Sequence, residues 1–228
     1  MTIVERALEL VSGHASIGLG SGRAAQAFIR ALGEHVRCGA VRVSGVPTSE
    51  ETAHLARKVG IPLVTLAEAK ALDVTVDGAD EVDPDLNLIK GYGRAMVREK
   101  IVAASSRSLL ILVGEEKLVP KLGARGKLPV EVLPFALPMC QQRIRGLGCG
   151  PTVWAHNGSP LITDNGNNIL DCAVEPIADA ARLESALRAI PGVVGTGLFL
   201  GMADIVLVGS GENFQLIEER KRRSDMAG

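Results

Sequence analysis

The amino-acid sequence predicts an α/β fold: a mostly parallel, Rossmann-like sheet with helices on both faces, plus a smaller α+β (ferredoxin-like) domain. Three observations predict it. Short apolar runs alternate with amphipathic stretches through the first half of the chain. One of those runs feeds straight into the glycine-rich turn Gly18-Leu19-Gly20-Ser21-Gly22 and a following helix, the opening of a βαβ unit. After Gly126 the rhythm changes to two strand–helix halves, the pattern of a split βαβ motif. The expected domains are 1–127 with 199–228, which would bind the substrate, and 128–198.

Each element has its own signal. Ile3, Val4, Ala7, Leu8 and Val11 share one helical face, and Gly13 stops that helix. Ala15 to Leu19 reads as a buried strand, and Ala24, Ala27, Phe28, Ala31 and Leu32 face inward from the next helix. Val41 to Val46 is a strand; Pro47-Thr48-Ser49 caps a helix ending near Val59. Ile61 to Leu66 and Leu72 to Val76 read as strands, the second ending at Asp77. Ala95 to Ser105 is a helix and Leu109 to Val113 a strand. Strands separated by helices imply a parallel sheet covered on both faces. In the second half, Pro129 to Val132, Thr152 to Ala155 and Ile169 to Val174 read as strands. Met139 to Leu147 and Ile177 to Ile190 read as helices, and Ala203 to Val208 as a strand returning to the main sheet.

Composition excludes several classes. The 228 residues hold 25 Lys plus Arg against 26 Asp plus Glu, a net charge of -1, so no nucleic-acid partner is expected. The one dense charge run, Glu218 to Arg223, reads as a solvated end. Cys38, Cys140, Cys149 and Cys172 make no CxxC pair, and His14, His35, His54 and His156 make no HxH or HExxH pattern. No metal site is expected. No apolar run reaches the length of a bilayer span, and the first residues carry an early acid and no signal-peptide core. The expectation is a cytoplasmic protein with no membrane partner.

Four segments can carry chemistry. The turn Gly18 to Gly22 lets backbone approach a ligand closely, and the helix N-terminus behind it favours an anion. It is neither a Walker A sequence nor a clean GxGxxG, so a plain strand-to-helix turn stays open. Asp77-Gly78-Ala79-Asp80-Glu81-Val82-Asp83 follows a strand, where open α/β sheets bind ligands. An acidic solvated turn is its other reading. Lys90-Gly91-Tyr92-Gly93-Arg94 precedes a helix that carries Arg98, Glu99 and Lys100, which on an isolated helix would be surface charges. Thr163-Asp164-Asn165-Gly166-Asn167 reads as a hairpin turn.

Together these segments resemble the type A ribose-5-phosphate isomerase family. The landmarks run in order: GLGSG at 18–22, SGVPTS at 44–49, DGADEVD at 77–83, LIKGYGRAMVREKI at 88–101, PVEV at 129–132, TDNGNNILD at 163–171 and PGVVGTGLF at 191–199. The resemblance implies an aldose–ketose isomerase of the non-oxidative pentose phosphate pathway, active as a homodimer or homotetramer. It implies a phosphate loop at Ser21, Gly22, Arg23 and Ala24. It implies substrate contacts from Asp77, Gly78, Ala79 and Asp80, from Lys90, Gly91, Tyr92 and Gly93, and from Lys117. The proton acceptor would be Glu99, in the REK position. The sequence departs from the family at two places: paired hydroxyls become Arg23 and Ala24, and a glycine run becomes Gly-Tyr-Gly-Arg at 91–94.

The implied reaction moves one proton between C1 and C2 through an enediolate. A glutamate can do this when burial lifts its pKa toward neutrality, and Glu99 is the candidate. Lys90 and the amides of Gly91 to Gly93 would stabilise the oxyanion. Asp77 would assist ring opening, with Asp80 orienting hydroxyls. No cofactor is required. The competing readings are an isomerase of another aldose or aldose phosphate, a different reaction on the same scaffold, and a non-catalytic sugar-phosphate-binding protein.

Overall fold

The amino terminus shows how local sequence starts each element. Thr2 accepts from the Glu5 amide while the Glu5 carboxylate accepts from the Thr2 amide, a capping box that opens α1 (Ile3–Val11). The structure is a computed structural model that describes residues 1–69, 71–210 and 213–219. The elements after α1 are β1 (Ser16–Leu19), α2 (Arg23–Arg37), β2 (Ser44–Pro47), α3 (Glu50–Lys58), the short α4 (Leu66–Ala69) and β3 (Val74–Gly78). Next come β4 (Glu81–Val82), β5 (Leu88–Ile89), α5 (Met96–Ala104), β6 (Leu109–Gly114), β7 (Lys127–Val132), α6 (Leu137–Gly146) and β8 (Gly150–Val153). The chain continues through β9 (Ala155–His156), β10 (Ser159–Pro160), β11 (Asn168–Ala173), α7 (Ala180–Arg188), β12 (Val193–Thr196), β13 (Leu198–Phe199), β14 (Ile205–Ser210) and β15 (Asn213–Glu219).

Two units result. The first holds Met1–Ala79, Arg98–Lys117 and Met202–Gly228. Its sheet has the order β15-β14-β6-β3-β1-β2, with five parallel strands and the antiparallel β15 at one edge. Ile17, Leu19, Val74, Val76, Leu110 and Leu112 from the strands meet Phe28, Ile29 and Leu32 of α2 in a core with essentially no exposure. Each such side chain contributes about 1.5–3 kcal/mol by leaving water. Glycine at position 18 seats α5 on this sheet: a Cβ there would lie 2.7 Å from Val102 Cγ1.

The expected strand over 61–66 is absent. Only Leu63 bridges Gly45, because Pro62 has no N–H to give and Thr65 turns the chain into α4. Thr65 and Glu68 cap one another there, the Thr65 amide reaching Glu68 Oε2 at 2.7 Å. Residues 220–223 of the charge run lie outside the described residues.

The second unit, Asp80–Val97 and Leu118–Gly201, follows the order βαββαβ through β7, α6, β8, β11, α7 and β12. Its antiparallel sheet reads β12-β7-β11-β8. Leu128, Val130, Val132, Ile144, Leu170, Cys172 and Leu187 form its core. A small sheet of order β13-β5-β4 lies in the same unit, and its β5 leads directly into the Lys90 loop.

Candidate active site

In the first unit, the candidate residues follow the C-terminal ends of parallel strands. Gly20, Ser21 and Gly22 follow β1, Thr48 and Ser49 follow β2, Asp77 is the penultimate residue of β3, and Lys117 ends the turn after β6. That is where α/β sheets of this kind bind ligands. Asp77 is 1% exposed, and its Oδ1 accepts from the Ser21 amide at 3.0 Å and the Gly78 amide at 2.7 Å. Position 20 admits only glycine, since a Cβ would fall 2.6 Å from Asp77 Cα. The Asp77 carboxylate therefore shapes the glycine turn from beneath.

Ser21 is fixed from its other side. Its hydroxyl lies 2.8 Å from Thr48 Oγ1, 2.9 Å from Ser49 Oγ and 3.2 Å from Thr52 Oγ1. Thr48 and Thr52 in turn donate to the carbonyls of Leu19 and Gly20. This hydroxyl cluster was not foreseen as part of the site. Its only signal was the SGVPTS landmark, read as a helix cap, and Ser49 does cap α3 through the Thr52 amide.

Gly22 is the N-cap of α2, with φ +87 and no side chain capping the helix. The first-turn amides of α2 thus present their partial positive charge at the turn. Arg23 is the first helical residue and is exposed; Ala24 is half-buried, and a Cβ at Gly78 would sit 3.9 Å from its methyl. Glu99 is the fourth residue of α5 and is 4% exposed. Its neighbour Arg98 reaches Glu50 at 2.9 Å, a surface pair of the ordinary kind. Burial separates Glu99 from the surface charges beside it.

In the second unit, Lys90 is 3% exposed; its Nζ lies 5.6 Å from the Phe199 ring centroid and its amide donates to Gly197. Asp80 Oδ2 accepts from the Tyr92 amide at 2.9 Å, which ties the DGAD segment to the glycine loop. Gly91 is buried at φ +106, packed where a Cβ would strike Met96, and Gly93 is exposed. The Tyr92 hydroxyl donates to the Lys127 carbonyl at 3.1 Å. Burial, with the nearby Glu81 and Asp80 charges, pushes the phenol well above its usual range, so it stays protonated. The chain crosses between units after Ala79 and after Val97, so Asp77 and Glu99 belong to one and Asp80 and Lys90 to the other.

The first unit thus offers an uncapped helix start and two buried carboxylates, Asp77 and Glu99, and the second a buried lysine beside a glycine loop. The family model described as ribose 5-phosphate isomerase A (phosphoriboisomerase A) matches residues 44–213. This chain belongs to the ribose 5-phosphate isomerase A family. Ribose-5-phosphate isomerase A of Roseiflexus castenholzii is 50% identical over 206 residues, 90% of this chain and 88% of its own. The enzyme of that name from Gloeobacter violaceus is 50% identical over 208 residues, 91% and 90% of the two chains. Among solved structures, ribose 5-phosphate isomerase A of Methanocaldococcus jannaschii superposes with a TM-score of 0.89 at 40% identity, covering 96% of this chain and 97% of its own. A D-ribose-5-phosphate isomerase in complex with phospho-erythronic acid gives 0.90 at 39% identity, covering 95% and 96%. Membership in the ribose 5-phosphate isomerase A family makes the chain an aldose–ketose isomerase. Among the described residues no helix is long and apolar enough to cross a membrane.

Proposed function

We propose that the chain interconverts ribose 5-phosphate and ribulose 5-phosphate through an enediolate, with Glu99 as the base. The carrying observation is the burial of Glu99 at the REK position of α5, beside Arg98, which pairs with Glu50 at the surface. Glu99 takes the proton from C2 of the open aldose, and the C2–H electrons form a C1=C2 bond as charge moves onto O1. A proton passes from O2 to O1. Glu99 then returns its proton to C1 while the C2=O2 carbonyl forms. Lys90 and the amides of Gly91 and Gly93 are the donors for the developing oxyanion, the Tyr92 amide between them being held by Asp80. Asp77 assists ring opening through the carboxylate oxygen that does not hold the Ser21 amide, and Asp80 orients a substrate hydroxyl. The phosphate sits at Ser21, Gly22, Arg23 and Ala24, where the uncapped start of α2 favours an anion, with Gly78, Ala79 and Lys117 completing the contacts. A relative of the same fold holds phospho-erythronic acid, a phosphorylated sugar acid, which supports a sugar phosphate as the ligand.

The protein works as a homodimer or homotetramer in the cytoplasm. Support for the assembly is the family's habit, and support for the compartment is four free thiols. The test is direct. Pure protein with ribose 5-phosphate should yield ribulose 5-phosphate at the same rate with and without EDTA, and light scattering should give a multiple of the 23.9 kDa chain. Loss of activity on chelation with recovery by a divalent ion would overturn the metal-free enediolate mechanism.

A further inference from the structure

The glycine loop carries a non-glycine residue in a conformation that disfavours side chains. Arg94 has φ +71, in the left-handed region, and its amide closes the turn onto the Gly91 carbonyl at 3.0 Å. Its side chain is held on two sides. The guanidinium makes a two-pronged ion pair with Asp171 of β11, Nη1 to Oδ1 at 2.6 Å and Nη2 to Oδ2 at 2.8 Å. It also lies over the Trp154 ring, 5.0 Å from the centroid. Both partners of the ion pair are largely buried, at 19% and 22% side-chain exposure, where a forked pair is strong and directional.

The neighbouring non-glycine residue is tied to the same sheet. Tyr92 donates to the Lys127 carbonyl, and Lys127 Nζ sits 4.0 Å from the Tyr92 ring centroid and 3.9 Å from Asp171 Oδ1. Trp154, Arg94, Asp171, Lys127 and Tyr92 thus form one chain of contacts. It runs from β7 and β11 to the loop that follows Lys90.

We propose that Arg94 is a positioning residue: by gripping Asp171 and Trp154 it holds the left-handed turn that presents Lys90 and the amides of Gly91 and Gly93. The tether supplies what a glycine at position 94 would supply through its own conformational freedom. The role rests on the proposed function, in which that loop serves the enediolate oxygen. Donors aimed at charge that develops only in the transition state affect kcat more than KM. A loosened loop therefore slows turnover and leaves binding of ribose 5-phosphate almost unchanged.

The test compares Arg94→Ala, Arg94→Gly and Asp171→Asn by kcat and KM for ribose 5-phosphate. Alanine keeps the left-handed strain and loses the tether, so kcat falls at least about fivefold with KM within about threefold. Glycine loses the tether and the strain together, so it restores at least about half of the wild-type kcat. Asp171→Asn lowers kcat in the wild-type background and has no further effect beside Arg94→Gly. A merely stabilising ion pair would lower the melting temperature alike in the alanine and glycine variants and leave kcat in place. If Arg94→Ala keeps more than about a fifth of the wild-type kcat, or glycine fails to restore half of it, the proposal is overturned. Lys90→Ala separates the two levels. Wild-type kcat in that variant would sink the oxyanion reading of the loop, whereas loss of turnover in Lys90→Ala beside an active Arg94→Ala sinks the positioning role alone.

Discussion

Arg23 stands where the family's loop carries a hydroxyl, and the structure puts it at the first position of α2, exposed and beside an N-cap with no capping side chain. A guanidinium there can take two phosphate oxygens at once, which one hydroxyl cannot. Arg23→Ala should raise KM for ribose 5-phosphate about tenfold, worth about 1.4 kcal/mol, with little change in kcat. Steady-state kinetics check this, and an unchanged KM would leave the phosphate to Ser21 and the loop amides. Single residues were readable in the sequence where a motif named a position, and silent where a partner is remote. Glu99 could be singled out by its REK context, but only its burial distinguishes it from Arg98 and Lys100. Thr48 lies in the SGVPTS landmark and Thr52 in no motif, and neither points to Ser21, whose hydroxyl lies 27 and 31 residues earlier in the chain. Arg94 was visible as a departure, and its partner Asp171, 77 residues on, was not.

The turn between β1 and α2 shows how one element depends on another. Gly20 donates to the Val76 carbonyl at 2.9 Å and leaves no room for a side chain over Asp77. Gly20→Ala pushes the turn off β3 and breaks the geometry in which Asp77 holds the Ser21 amide. Overpacking of this kind costs about 1–3 kcal/mol. A lowered melting temperature with a raised KM for ribose 5-phosphate is the expected pair of effects. A KM that stays at the wild-type value would show that the turn does not seat the phosphate. Periodicity identified the longer elements well, since β1, β3, β6 and β14 are buried apolar runs and α1 to α3 carry one apolar face each. It misjudged 61–66, where an apolar run contains a proline and ends in a helix cap. It could not see β4, β5 or β13. These strands have two residues each, too few for any period, and β13 pairs with β5 across 109 positions, Leu198 against Ile89.

For the whole molecule, the sequence alternation implied a parallel sheet but not its order. The order β14-β6-β3-β1-β2 needs a crossover between each pair of parallel neighbours, which no run of apolar residues specifies. It gathers the ends of β1, β2, β3 and β6 along one edge, so segments far apart in the chain supply the turn, the hydroxyls, Asp77 and Lys117. The βαββαβ order of the second unit follows from β7 to β12 in the same way. Within this scaffold Glu99 is buried at 4% exposure, and it is the carboxylate we propose as the carbon base. The most direct measurement is kcat of Glu99→Gln with ribose 5-phosphate, taken beside the Kd of the same sugar phosphate for the variant. Gln fills the same space and cannot accept the proton, so kcat should fall about 10²–10⁴-fold with Kd within a few-fold of wild type. Turnover of Glu99→Gln within about tenfold of wild type would contradict the account.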